Sequence, residues 1–141
     1  MAVWERPDAI SRYSKEYATF KRRGGVVLNK IHHDNYDIAV MTFVLETICP
    51  EFGRRKLLSE AHQMVRKGGR LVMGIRASYD VKTARGKGKY CEIGGGYITP
   101  LRTFIKPYDM NALSDILKAT QFEVEKVYNQ SPILNVVARA V

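Results

Sequence analysis

From Ile38 to Leu45 the chain runs IAVMTFVL, a nearly unbroken apolar stretch. It is too short to cross a membrane and has the content of a parallel strand covered on both faces. Leu57, Leu58, Ala61, Met64 and Val65 then recur at helical spacing, with Arg54, Arg55, Lys56, Glu60, Gln63 and Arg66 on the other side. Lys67 suits the negative end of such a helix, Gly68 and Gly69 offer a left-handed exit, and Arg70 to Ile75 resumes an apolar run. Tyr36 to Ala77 therefore reads as strand, helix, strand. The pattern predicts that Asp37 to Phe43 and Arg70 to Arg76 are parallel neighbours joined by a right-handed crossover.

Upstream, Trp4 to Arg6 reads as a short polar arm, and Pro7 with Asp8 reads as a helix start. Ile10, Tyr13, Tyr17 and Phe20 follow at helical spacing and give that helix an aromatic stripe. Lys21, Arg22 and Arg23 suit its negative end, and Gly24 and Gly25 stop it. Residues 1–25 are thus arm and helix. Val26 to Ile31 has the content of a short strand, and His32 to Asn35 of a polar turn.

Downstream, Ser78 to Lys106 is the least regular stretch. It carries Lys82, Arg85, Lys87 and Lys89 around Gly86 and Gly88, then Tyr90 and the glycines Gly94 to Gly96, while parts of GYITPLRTFIKPY have strand content. Asp109 is placed to cap a helix bearing Met110, Leu113, Ile116 and Leu117. Phe122 to Tyr128 alternates like a half-wet strand, and Ile133 to Val141 is largely apolar, so YNQSP joins them as a hairpin. Without repeats or a linker, residues 1–141 read as a single domain with a basic, Gly-rich excursion at 78–106.

YDIAV, FVLETICP and a helix ending in VRKGGRLVMGIRA together resemble the second half of a class I S-adenosylmethionine-dependent methyltransferase. GGGYITPLRTFIKPYDMNALSDILKATQFEVEKVY is similar to that family's closing elements, so the likeness covers Val26 to Val141. It implies a three-layer Rossmann-like α/β sheet, truncated in its amino-terminal half and closed by a C-terminal antiparallel hairpin. Val26 to Ile31 would be the counterpart of the family's third strand. The implied cofactor is S-adenosylmethionine. It would border Asp37, the match to the acidic residue opening the family's fourth strand, and Thr42, Phe43 and Val44 at that strand's carboxyl end. The region after the fifth strand commonly shapes the acceptor pocket, which implies Tyr97, Thr103, Phe104 and Lys106 as acceptor-binding residues.

The same family builds its cofactor site mainly from a Gly-rich turn after the first strand and an acidic residue after the second. No GxGxG follows a predicted strand here. GKGKY at Gly86 to Tyr90 and the run at Gly94 to Gly96 sit among polar residues and read as loops. Neither an Asn-Pro-Pro-Tyr or Asp-Pro-Pro-Tyr signature nor a Pro-Cys nucleophile is present, so no catalytic residue for base methylation can be named.

Charge adds a second line. Lys and Arg number 23 against 14 Asp and Glu, a formal net charge of +9, which favours nucleic acid first and acidic protein second as partners. Lys82, Arg85, Lys87 and Lys89, edged by tyrosines, have the composition of a loop that tracks phosphates and stacks a base; a solvated excursion has the same composition. Cys49 and Cys91 are too few for a disulfide framework and too far apart for a CxxC motif, which fits a reducing compartment. MAVWERPDAIS lacks an apolar core, so a cytoplasmic protein without signal peptide or membrane contact is expected. His32 and His33 point to opposite faces of an extended segment and have no spaced third ligand, so no metal is expected.

Two functions remain. One is a methyltransferase-like protein without independent catalysis, serving as a basic binding or regulatory module. The other is a methyltransferase of a small molecule or nucleic acid, completed by an unusual cofactor site or a second chain. The Val26 strand is expected either to be covered by the first helix or to form a sheet edge that a homo-oligomer or partner chain could pair with.

Overall fold

The computed structural model describes residues 2–4, 22–23, 26–28, 36–76, 89–92, 94–99, 102–130 and 133–141. The chain forms two compact units, Met1–His32 and His33–Val141. In the first unit β1 (Ala2–Trp4) pairs in parallel with β2 (Val26–Leu28), Ala2 opposite Val26 and Trp4 opposite Leu28. Trp4 is therefore a strand residue and not part of a polar arm, as the β-favouring Ala-Val-Trp run explains. The Val26 strand is correspondingly paired along one side. The helix expected over Pro7 to Phe20 lies outside the described residues.

The second unit opens with β3 (Tyr36–Thr42), a 3-10 turn (Leu45–Thr47), α1 (Glu51–Met64) and β4 (Val65–Arg76). Three short strands follow, β5 (Lys89–Cys91), β6 (Gly96–Ile98) and β7 (Phe104–Ile105), then α2 (Met110–Ala119), β8 (Phe122–Gln130) and β9 (Ile133–Ala140). The main sheet has the order β3-β4-β9-β8. β3 and β4 are parallel neighbours, with Ile38 opposite Arg70 and Thr42 opposite Gly74, as the strand-helix-strand pattern predicts. β9 returns antiparallel between β4 and β8, which makes the C-terminal hairpin part of the same sheet.

One face of this sheet is dry. Met41, Leu71, Met73, Ile75, Phe122 and alternate residues of β9 from Leu134 to Ala140 pack against Leu58 and Ala61 of α1 and Leu113, Ile116 and Leu117 of α2. Asp109 caps α2 by accepting the Ala112 N–H at 2.8 Å, satisfying one of the helix's free amides. The other face departs from the sequence reading of β3 as doubly covered. Ile38 is 57% and Val40 68% exposed, because both helices cover the side of Met41 and no described helix covers the side of Val40. The described residues of this α/β architecture thus supply the sheet and one helical layer.

Two further expectations change. α1 stops at Met64, three residues earlier than the sequence suggests: the Val65 N–H closes onto the Ala61 carbonyl and Val65 already begins β4. Gly68, at φ 75°, takes the left-handed step inside the strand's leading end instead of capping the helix. The second half of the 78–106 stretch is an ordered antiparallel sheet, β5-β6-β7. A side chain at Gly94 or Gly96 would collide with the Phe104 ring, so these glycines serve packing.

Candidate functional site

The carboxyl ends of β3 and β4 lie side by side, where open α/β sheets bind their ligands. β3 ends in Thr42, and Phe43 turns the chain at φ 56°, its N–H donating to the Gly74 carbonyl at 2.8 Å. A bulky residue held in this region signals a backbone fixed by its surroundings. Val44 follows as the cap of the 3-10 turn, its carbonyl accepting the Thr47 hydroxyl at 2.7 Å. Thr42, Phe43 and Val44 are all exposed, so they form one accessible corner.

The residue that anchors this corner was not singled out by sequence. Glu46 is only 1% exposed; its Oε1 accepts the Arg76 N–H at 3.2 Å, and its carbonyl accepts the Lys106 N–H at 2.6 Å. It therefore joins the ends of β3 and β4 to the segment leaving β7. The available signal was a lone carboxylate between Leu45 and Ile48 in an apolar run. Arg54 is a second such case. Placed on the wet side of α1 by sequence pattern, it is 2% exposed and donates to the carbonyls of Ile48 (2.7 Å) and Gly94 (3.0 Å). Its guanidinium carbon stands 5.9 Å from the centre of the Phe104 ring.

Asp37 does not share the corner. It sits at the amino end of β3, five residues before Thr42 and about 16 Å from it along an extended strand, and it pairs with Arg66 at the start of β4. Of the acceptor candidates, Phe104 is buried against Gly94 and Gly96 and serves the packing of the small sheet. Thr103 is held by a 2.7 Å hydroxyl contact with Thr99 at the β6–β7 turn, and Tyr97 packs edge-on against Tyr90 with ring centres 5.4 Å apart. Lys106 is tied by its backbone to Glu46 and lies over the Tyr108 ring, 5.6 Å from its centre. Lys89 is exposed on β5, while Lys82, Arg85 and Lys87 lie outside the described residues. No group of His, Cys, Asp and Glu that could hold a metal occurs among the described residues, and no described helix is long and apolar enough to cross a membrane.

No protein-family model matches the chain, and no curated protein does. Solved structures do match. A 1,6-didemethyltoxoflavin-N1-methyltransferase of Burkholderia thailandensis, solved with its substrate and S-adenosylhomocysteine, covers 99% of the chain at TM-score 0.70 and 15% identity. An S-adenosylmethionine-dependent methyltransferase of Mesorhizobium loti covers 98% at 0.67 and 14%. The fold is that of the class I S-adenosylmethionine-dependent methyltransferases. The PH0226 protein of Pyrococcus horikoshii covers the whole chain at TM-score 0.76 and 11% identity. The chain spans 60% of the Burkholderia protein, 79% of the Mesorhizobium protein and 71% of the Pyrococcus protein.

Proposed function

We propose that this is a methyltransferase-like module that does not transfer methyl groups by itself. The observation that carries the reading is the one-sidedness of the cofactor corner. Thr42, Phe43 and Val44 offer one wall, but the side of β3 away from β4 has no described partner strand, and no GxGxG stands in the sequence to bring backbone amides to a ligand. Carboxylates do not fill the gap: Asp37 is at the wrong end of the strand, and Glu46 is buried and engaged with the Arg76 amide. The described residues therefore do not fit S-adenosylmethionine as a complete site. Its polar atoms would give up water for too few directed hydrogen bonds.

Calorimetric titration of the purified chain with S-adenosylmethionine tests this, with no saturable heat expected. Micromolar binding by the isolated chain, lost in Phe43→Ala, overturns it. A second reading, a composite methyltransferase completed by another chain, is favoured by the edge of β3 that has no partner strand among the described residues of its unit, with Ile38 and Val40 exposed beside it. It requires cofactor binding that appears only when that chain is added. The net charge of +9 favours nucleic acid or an acidic protein as the module's partner, with Lys89 the described member of the basic segment.

A further inference from the structure

We infer that the cleft between α1, α2 and the β5–β6 turn is a binding site for a small zwitterion of the α-amino acid class. The cleft holds about 320 Å³, near the lower end of the range for small-molecule sites. It lies between the helices that cover the sheet's dry face, and its lining includes none of Thr42, Phe43 and Val44.

The charges that line it fall into three kinds. Arg55 and Glu51 neutralise each other at 2.8 Å on the first turns of α1. Arg54 is committed to two carbonyls, and its Nε is buried without a partner. Lys106, Glu92 and Asp115 also line the cleft, and none of the three forms an ion pair among the described residues. The Lys106 ammonium has only the face of Tyr108 beneath it and stands beside Gly95, where a Cβ would be 3.6 Å from Nζ.

The cleft thus carries charges of both signs that do not pair with one another among the described residues. A ligand with one charge would meet a like charge in the cleft, and an apolar ligand would leave all three groups without a partner. A molecule carrying a carboxylate toward Lys106 and an ammonium toward Glu92 and Asp115 complements both. Tyr108, 3% exposed, forms part of the lining. Burial pushes its phenol above the ordinary range against the opposing pull of Arg54, so it stays a neutral hydrogen-bond donor at physiological pH.

The test is calorimetric titration of the full chain with L-serine, L-glutamate and L-lysine, with acetate and methylammonium as single-charge controls. At least one amino acid is expected to bind with a Kd below about 1 mM, at least about tenfold tighter than either control. Lys106→Met and Asp115→Asn are each expected to weaken it by about tenfold with the circular dichroism unchanged. Asp115 is exposed on α2, so its substitution decides the matter even where the lysine variant folds poorly. No saturable heat with any of the three amino acids overturns the proposal. So does a control binding as tightly, or Asp115→Asn binding like the unmodified chain.

Discussion

Arg54→Met is the substitution whose consequence follows most directly from the geometry. The guanidinium bridges the Ile48 carbonyl, in the loop after the 3-10 turn, and the Gly94 carbonyl, in the β5–β6 turn, 40 residues away in sequence. Methionine keeps most of the apolar stem but loses the guanidinium over the Phe104 ring and donates to neither oxygen. Each buried carbonyl left without a donor costs about 1–3 kcal/mol, and removing a buried cation returns part of that sum. The net loss should be about 2–4 kcal/mol of unfolding free energy, measured by urea denaturation as a shifted midpoint at unchanged slope. Hydrogen exchange should localise the damage: the amides of Gly95 and Thr103, bonded to Cys91, Glu92 and the Thr99 hydroxyl, lose protection ahead of β9. Arg54→Lys should recover less than half, because an ammonium lacks the fork that reaches two carbonyls. A change below about 0.5 kcal/mol, or exchange that quickens uniformly, would show that Arg54 is not the tie between these segments.

Leu58, fully buried under the sheet, should lose about 2–5 kcal/mol on truncation to alanine, read from the same denaturation curves. Tyr108→Phe tests the buried phenol: its folded-state pKa lies above the ordinary 10.0, so its contribution is complete below that value and fades as pH rises through the folded pKa. Stability of the unmodified chain should therefore fall more steeply above pH 10.0 than that of the variant, and parallel curves would contradict this. If the basic segment contacts nucleic acid, neutralising Lys82, Arg85, Lys87 and Lys89 together should flatten the salt dependence of binding by up to about 4 in logarithmic slope. An unchanged slope removes that segment from the interface.

What could be read ahead of the structure was whatever depended on local period and punctuation. The β3-α1-β4 unit, the Asp109 cap and the closing hairpin each announce themselves through the period of a contiguous stretch and the residues that punctuate it. Long-range pairing did not. Trp4 looks polar in company with Glu5 and Arg6, and only the pairing with β2 makes it a strand residue. Glu46 and Arg54 carry charges that pattern assigns to water, yet both are buried because backbone amides and carbonyls distant in sequence need them. Asp37 opens β3 as its match to the family implies, but its partner there, Arg66 at the start of β4, is one that local pattern does not announce.

The side of β3 that has no partner strand among the described residues of its unit bears on the cofactor question as well as on assembly. Edge strands that face water are usually guarded by a lysine, a proline or a bulge. From Ile38 to Thr42 β3 has none of these; its register shift falls earlier, between Tyr36 and Ile38. On the same exposed face the sheet divides in two. Arg70 pairs with Glu125 and Arg139 with Glu123, a charged border suited to water, whereas Val40, Val72 and Val137 form an adjoining cross-strand apolar row. That row runs to β3 and ends one step from Thr42, Phe43 and Val44. The apolar row therefore borders the proposed cofactor corner, and a strand added at this edge would extend both. Val40→Lys separates this from simple tolerance of exposure: it should leave the isolated chain's stability within about 0.5 kcal/mol, as for an ordinary surface position, while abolishing any cofactor binding that a second chain confers. Retained binding in that complex would place the completing surface elsewhere.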